Sequence, residues 1–299
     1  MPIWTFSLWR RLTGSEMISK QFWSNDSLNE SRNRDASINM RKVEILGRSN
    51  TFLGNQILTR SNHTILSGLL ILFMLRSVAV GAPNEARPTV PADVVLKPTF
   101  MTGYDSFSGG TAFLCTVPGV EGTFLLTAQH LFGPACGLKR QFTWQEVPKT
   151  FIVVTALSIS EPRHFITSTQ PLAIPGAHAL DNSGYDHDLA AYRVDEKVTS
   201  LHMAVERPKV GEPVFLFARQ RGKATLDLLR AIVRKSSDSE FEYAFDDEDI
   251  NLAGTSGAPV LNGVGEVVAL NIGGGEESGK HWGMGNPCNS ISSLLKAIK

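Results

Sequence analysis

The sequence predicts an all-β domain built as a barrel and closed by a C-terminal helix, with an N-terminal extension of different character in front of it. Short apolar runs alternate with glycine-containing turns after residue 98, as in Thr111–Cys115, Thr123–Thr127 and Phe151–Val154. Ile291, Leu294, Leu295 and Ile298 fall at i, i+3, i+4 and i+7, which is one apolar helical face. The N-terminal third carries neither period.

Residues 1–63 are rich in Ser, Asn and Arg, as in Ser24-Asn25-Asp26-Ser27-Leu28-Asn29, and are expected to be disordered. Residues 64–82 contain the apolar run Ile65–Leu75, then Arg76 and the small residues Ala79-Val80-Gly81-Ala82. The run is too short to cross a bilayer comfortably. With Arg60 upstream, it reads as a secretory hydrophobic region and cleavage site. The long stretch before it is unusual for a signal peptide. Either translation starts further downstream, with Met40 one alternative, or the segment is an uncleaved signal anchor. A buried core helix is a third reading, with no obvious element to pair with it. The expected location is secreted or periplasmic, or membrane-anchored through this segment. No Cys follows the run, so a lipid anchor is not indicated.

Residues 83–97 are Pro-rich and read as a linker. Residues 98–299 form the folded domain, with a first half at about 98–204 and a second at about 205–299. The crossing lies around Pro208–Pro213, and Val214–Phe217 opens the second half. The final helix would be capped by Asn289 or Ser290. The chain of 299 residues has no net formal charge and 42% hydrophobic residues, enough for a sizeable core. No basic excess points to nucleic acid.

Three segments carry chemistry. Gly254-Thr255-Ser256-Gly257-Ala258-Pro259 places a serine on a tight glycine turn. A serine hydroxyl needs an adjacent base, an orienting group for that base, and backbone N–H groups aimed at the attacked carbonyl oxygen. Phe124-Leu125-Leu126-Thr127-Ala128-Gln129-His130 ends an apolar strand on a histidine. Tyr185-Asp186-His187-Asp188-Leu189-Ala190 sets carboxylates just before another strand, with Asp186 competing with Asp188 for the orienting role. Each segment alone has a bland reading: a turn, a core histidine, a strand-initiating Asp.

Together, in the order His, Asp, Ser, they resemble the chymotrypsin/trypsin-like serine proteases. The likeness is greatest to bacterial secreted, glutamyl-endopeptidase-like peptidases, where Pro259-Val260-Leu261-Asn262 and Val267–Gly274 also have counterparts. The resemblance covers roughly Lys97 to Lys299. It implies two six-stranded antiparallel β-barrels and a serine endopeptidase acting on protein or peptide substrates. Ser256 would be the nucleophile, His130 the general base and Asp188 its orienting partner, with Gly254 and Ser256 N–H as the oxyanion hole. Asp188 is preferred because Leu189-Ala190 follows it as in the family. The substrate pocket would draw on Ile250, Asn271, Gly273 and Gly274. Ile250 suits an apolar side chain, whereas Asp249 or the acidic run Asp246-Asp247-Glu248 would suit Lys or Arg if it faced inward. Glutamyl-specific relatives carry His where this chain has Asn271, which argues against Glu preference.

In the animal enzymes a disulfide straddles the histidine. A Cys115–Cys136 bridge is the counterpart here, and it would contribute roughly 3 kcal/mol; the other reading is two reduced thiols. His164, His178, His202 and His281 show no metal-ligand spacing, so no metal and no cofactor is implied. A monomer is expected. Two other functions stay open: a catalytically idle protease-fold binding module, and a non-peptide acyl hydrolase such as an esterase.

Animal trypsins place an Asp before the nucleophile, paired with a newly cut N-terminus. Here that position is Thr255, which forms no ion pair. A protein carrying a few extra residues before its mature N-terminus is therefore expected to hydrolyse peptide or ester substrates as fast as the unextended form. Loss of hydrolysis on extension would contradict this.

Overall fold

Two mainly antiparallel β-sheet units pack on a common hydrophobic core, the first enclosing a second apolar cluster around Phe100, Phe132 and Tyr192, and the residues of interest lie where the units meet. The computed structural model describes residues 87–181, 184–195 and 197–298, all within one compact unit of the chain. The extension at 1–63, the signal-like segment at 64–82 and the first residues of the expected linker lie outside the described residues. Among the described residues, no helix is long and apolar enough to cross a membrane.

The first unit contains β1 (Val95–Met101), β2 (Ser106–Ser108), β3 (Ala112–Val117), β4 (Val120–Thr127), β5 (Val153–Ser158), β6 (Phe165–Ser168), β7 (Ala190–Val194) and β8 (Leu201–His202). The strand β1 takes in the last residues of the expected linker. The order is β6-β5-β1-β3-β4-β7, with β2 on β1 and β8 parallel to β3. The expected closed six-stranded barrel is therefore corrected here to an open eight-stranded sheet. Its edges still meet: Leu172 N–H donates to Ala191 O, Arg193 N–H donates to Gln170 O, and Pro171 bridges to Tyr192. Pro171 and Tyr192 form a pair flanked by these two bonds, in which neither residue's own N–H faces the other, so Pro171 fits there without costing a hydrogen bond.

The second unit contains β9 (Pro213–Ala218), β10 (Asp227–Ser236), β11 (Phe241–Phe245), β12 (Pro259–Leu261), β13 (Val267–Glu277) and β14 (Lys280–Pro287). It closes into a six-stranded barrel in the order β10-β11-β14-β13-β12-β9. Strand β11 alternates buried and half-buried residues, as a barrel wall requires. A one-turn helix α1 (Val147–Thr150) interrupts the first unit, and helix α2 (Cys288–Lys296) ends the fold.

Helix α2 buries Ile291, Leu294 and Leu295 against the shared core, the face the periodicity predicts. Its cap differs from expectation. The helix begins two to three residues earlier than that, at Cys288, with Pro287 in the cap position and no side-chain cap bond. The side chains expected to cap it reach elsewhere: Asn289 Nδ2 donates to Asp238 Oδ1 and Ser290 Oγ donates to Asp186 O.

The cysteines are all reduced, which corrects the expected Cys115–Cys136 bridge. Cys115 lies in β3 with its side chain in the core, and burial pushes its thiol up. Cys136 ends a short 3-10 turn after His130, with its Sγ against the backbone of Gly109, and burial raises its thiol too. Burial lifts Cys288 to about 11. All three are thiols at neutral pH, poor nucleophiles and poor metal ligands. Adding a reductant to the native protein is expected to leave its melting temperature unchanged. A drop on reduction would mean that a bridge exists after all.

Candidate active site

The sequence motif around His130 becomes a strand followed by a sharp turn. Strand β4 runs into Ala128, which is extended, and the chain then tightens into a 3-10 turn at Gln129–Phe132. The turn aims the His130 ring out of the sheet while Leu131 and Phe132 stay in the core.

Asp188 meets this turn from the start of β7. Its side chain is fully shielded from solvent. One carboxylate oxygen accepts the His130 backbone N–H at 2.9 Å, and the other accepts from His130 Nδ1 at 2.6 Å. Leu180 N–H donates to that second oxygen at 3.2 Å. An ionised carboxylate only accepts, so the network assigns the proton to Nδ1 and leaves Nε2 as the free acceptor. The backbone contact fixes the turn and the ring contact fixes the tautomer. Asp186 has no part in this. It pairs with His187, whose ring stacks on His178 at 4.8 Å. The structure therefore brings Asp188, and not Asp186, to His130.

Ser256 sits on a turn held at many points. Gly254 has φ +82 and Gly257 has φ +88, conformations that disfavour any other residue. Thr255 N–H donates to Leu252 O, Ala258 N–H to Thr255 O, and Gly257 N–H to Asn271 O. The first sheet grips the turn through Thr111: its N–H donates to Ser256 O at 2.7 Å and its Oγ1 to Gly254 O at 2.9 Å. Thr127, three residues before His130, donates to Thr111 O at 2.7 Å. The contact is so close that a Cβ on Gly257 would lie 2.0 Å from Thr111 O. Among the described residues, the N–H groups of Gly254 and Ser256 are the two in this turn that are not spent on an internal hydrogen bond.

The histidine and serine segments are thus brought together through Thr111 and Thr127. His130 and Ser256 share no hydrogen bond here. Ser256 Oγ instead donates to Ile272 O at 3.4 Å, a long contact. A surface cavity of about 530 Å³ beside Arg207 and Asp238 contains none of these residues.

The expected pocket residues divide. Gly273 and Gly274 lie open or half-open on β13 near Ser256. Asn271 does not line a pocket: it is fully buried, with its side chain bonded to Tyr243 and Thr255. Ile250 is buried in the shared core. Leu252 stands beside Gly274, where a Cβ would lie 2.6 Å from its Cδ1, and Met284 stands beside Gly273. The acidic residues 246–249 are exposed, and Asp246 pairs with Arg230. Sequence reasoning missed Thr111, Leu252 and Tyr243. The Gly109-Gly110 pair before Thr111 was a readable sign of close backbone approach.

A sequence profile described as "Trypsin-like peptidase domain" matches residues 110–270, more than half of the chain. The chain belongs to the trypsin-like peptidase family. A peptidase domain implies peptide substrates. No curated protein sequence matches it. Among solved structures, it is similar to the Rv3671c protease from M. tuberculosis in its active form, at 16% identity and TM-score 0.46, covering 69% of this chain and 81% of that one. It is similar to a serine endoprotease from Yersinia pestis, at 14% identity and TM-score 0.45, covering 69% and 62%. It is also similar to the MamO protease domain from Magnetospirillum magneticum, at 18% identity and TM-score 0.42, covering 68% and 95%.

The short bond from His130 Nδ1 to Asp188 is expected to give a far-downfield proton resonance. The signal should vanish in Asp188→Asn and persist in Asp186→Asn. Survival of the signal in Asp188→Asn would break the assignment.

Proposed function

We propose that this protein is a serine endopeptidase that cleaves peptide bonds through Ser256, His130 and Asp188 and an acyl-enzyme intermediate. The observation that carries the proposal is the buried Asp188 carboxylate gripping both the backbone and Nδ1 of His130. Such a grip leaves Nε2 as a base with a fixed direction, which a merely structural histidine does not need.

In this reading Ser256 Oγ attacks the substrate carbonyl carbon while its proton passes to His130 Nε2. Negative charge on the carbonyl oxygen is met by the unspent N–H groups of Gly254 and Ser256. The C–N bond then breaks, and the Nε2 proton goes to the leaving amine. Water, activated by the same nitrogen, hydrolyses the acyl-enzyme. Asp188 stays ionised and stabilises the imidazolium each time it forms. The hydroxyl reaches His130 by rotating about its Cα–Cβ bond away from Ile272 O; catalytic hydrogen bonds are often loose before substrate binds.

The side chain preferred before the cut is apolar or small. Leu252 and Met284 flank the glycine strand, and the acidic residues that would select Lys or Arg are on the surface. Kinship to the glutamyl-endopeptidase-like group rests on the Pro259–Asn262 and Val267–Gly274 segments alone, and Asn271, buried where those enzymes carry His, speaks against Glu. Secretion, or anchoring by residues 64–82, completes the proposal.

A second reading, a catalytically idle binding module, is favoured by one observation: Ser256 Oγ is bonded to Ile272 O and not to His130. A fluorophosphonate probe separates the two. Labelling of the protein that disappears in Ser256→Ala, with degradation of casein, is the expected result. Absence of labelling in the folded protein would defeat the enzymatic reading, and labelling with hydrolysis of small esters only would make it an esterase.

A further inference from the structure

Behind the nucleophile turn lies a file of three uncharged polar side chains, Tyr243, Asn271 and Thr255, all with no exposure to solvent. Tyr243 projects from β11 across β14, and Gly283 is what admits it: a Cβ there would lie 2.4 Å from the phenol ring. The Tyr243 hydroxyl donates to Asn271 Oδ1 at 2.6 Å. Burial pushes the phenol up, so it keeps its proton and remains a donor. That bond sets the amide orientation and turns Nδ2 toward the nucleophile turn. Nδ2 donates to Thr255 Oγ1 at 3.0 Å and to Thr255 O at 3.1 Å. Thr255 Oγ1 in turn donates to Leu252 O at 2.7 Å.

The Asn271 main chain holds the same turn from the other side of Ser256. Its N–H donates to Ala258 O at 2.8 Å, and its carbonyl accepts from Gly257 N–H at 2.7 Å. One buried residue therefore fastens the turn both before and after Ser256. A core that needed only filling would be served by apolar residues, since each buried polar group that loses a partner is costly. A fully satisfied network at this place fixes geometry.

We infer that Tyr243, Asn271 and Thr255 are positioning residues that lock the Gly254–Ser256 turn with its two N–H groups unspent, so that Ser256 is held ready without a buried ion pair. The inference rests on the peptidase reading for its effect on rate. The lock itself stands on the hydrogen bonds alone.

The test uses the full chain with Thr255→Val, which removes the hydroxyl at nearly constant volume, Thr255→Ser, which keeps it, and Tyr243→Phe. Two readouts are taken: kcat and KM on a small ester, and backbone hydrogen exchange across residues 252–258. Thr255→Val is expected to lower kcat by about tenfold or more with KM within about twofold, as for loss of the two buried hydrogen bonds of its hydroxyl felt in the transition state. Thr255→Ser should restore kcat, Tyr243→Phe should lower it in the same direction, and exchange in the turn should speed up in Thr255→Val and Tyr243→Phe. Folded variants with unchanged kcat and unchanged exchange would overturn the inference, as would a loss in Thr255→Val that Thr255→Ser does not restore. If Thr255→Val fails to fold, Tyr243→Phe decides on the same criteria. If the parent protein neither turns over ester nor takes a fluorophosphonate, the peptidase reading falls, and exchange alone then decides whether the lock exists.

Discussion

The structure around Ser256 depends on Thr111. It is the residue through which the first sheet grips the turn of the second barrel, with one bond from its N–H and one from its hydroxyl. Its own carbonyl is held by Thr127, on the strand that delivers His130. Remove that short chain of bonds and the histidine and serine segments belong to two sheets with no common reference. The shared core brings the two units together, but apolar packing is not directional. Hydrogen bonds at the seam supply the register that packing cannot.

Electrostatics at the seam follow from burial. Asp188 is a carboxylate with no contact with water, a costly arrangement unless every oxygen is met. Two donors come from His130 and a third from Leu180 N–H, so the charge is met entirely by groups that also fix the site. The same need explains why Asp186, two residues earlier, is excluded. It lies half-exposed beside His187, and its carbonyl is engaged by Ser290 of helix α2. The helix expected only to close the core thus also steadies the loop that carries the acid.

Much of this was legible in the sequence because the signals are local. Apolar runs bounded by glycine became strands, although the run at Phe151–Val154 enters its strand only at Val153. The period at Ile291, Leu294 and Leu295 became a helix face, with Ile298 just past the helix end. The motif order His130, Asp188, Ser256 named the segments that meet. What was misread was non-local. The family resemblance assigns Asn271 to the pocket, yet its side chain faces the Tyr243 hydroxyl, a partner far along the chain that no spacing reveals. Cys115 and Cys136 flank the histidine as a bridged pair would, but strand β3 directs the first thiol into the core while the second packs on Gly109. The first barrel was expected closed, and the edges of its sheet instead meet through a bridge at Pro171 and Tyr192 that forms no strand ladder.

By itself, then, the sequence determined the strand-rich architecture, the closing helix and the segments that gather at the seam, because periodicity and turn residues act over a few positions. Only the tertiary structure decided which carboxylate reaches His130, which way Asn271 faces, which N–H groups remain free beside Ser256, and whether the thiols pair. Those outcomes are set by turn geometry and by the direction each side chain takes across a sheet seam, and within a strand a single step of register turns a side chain to the opposite face.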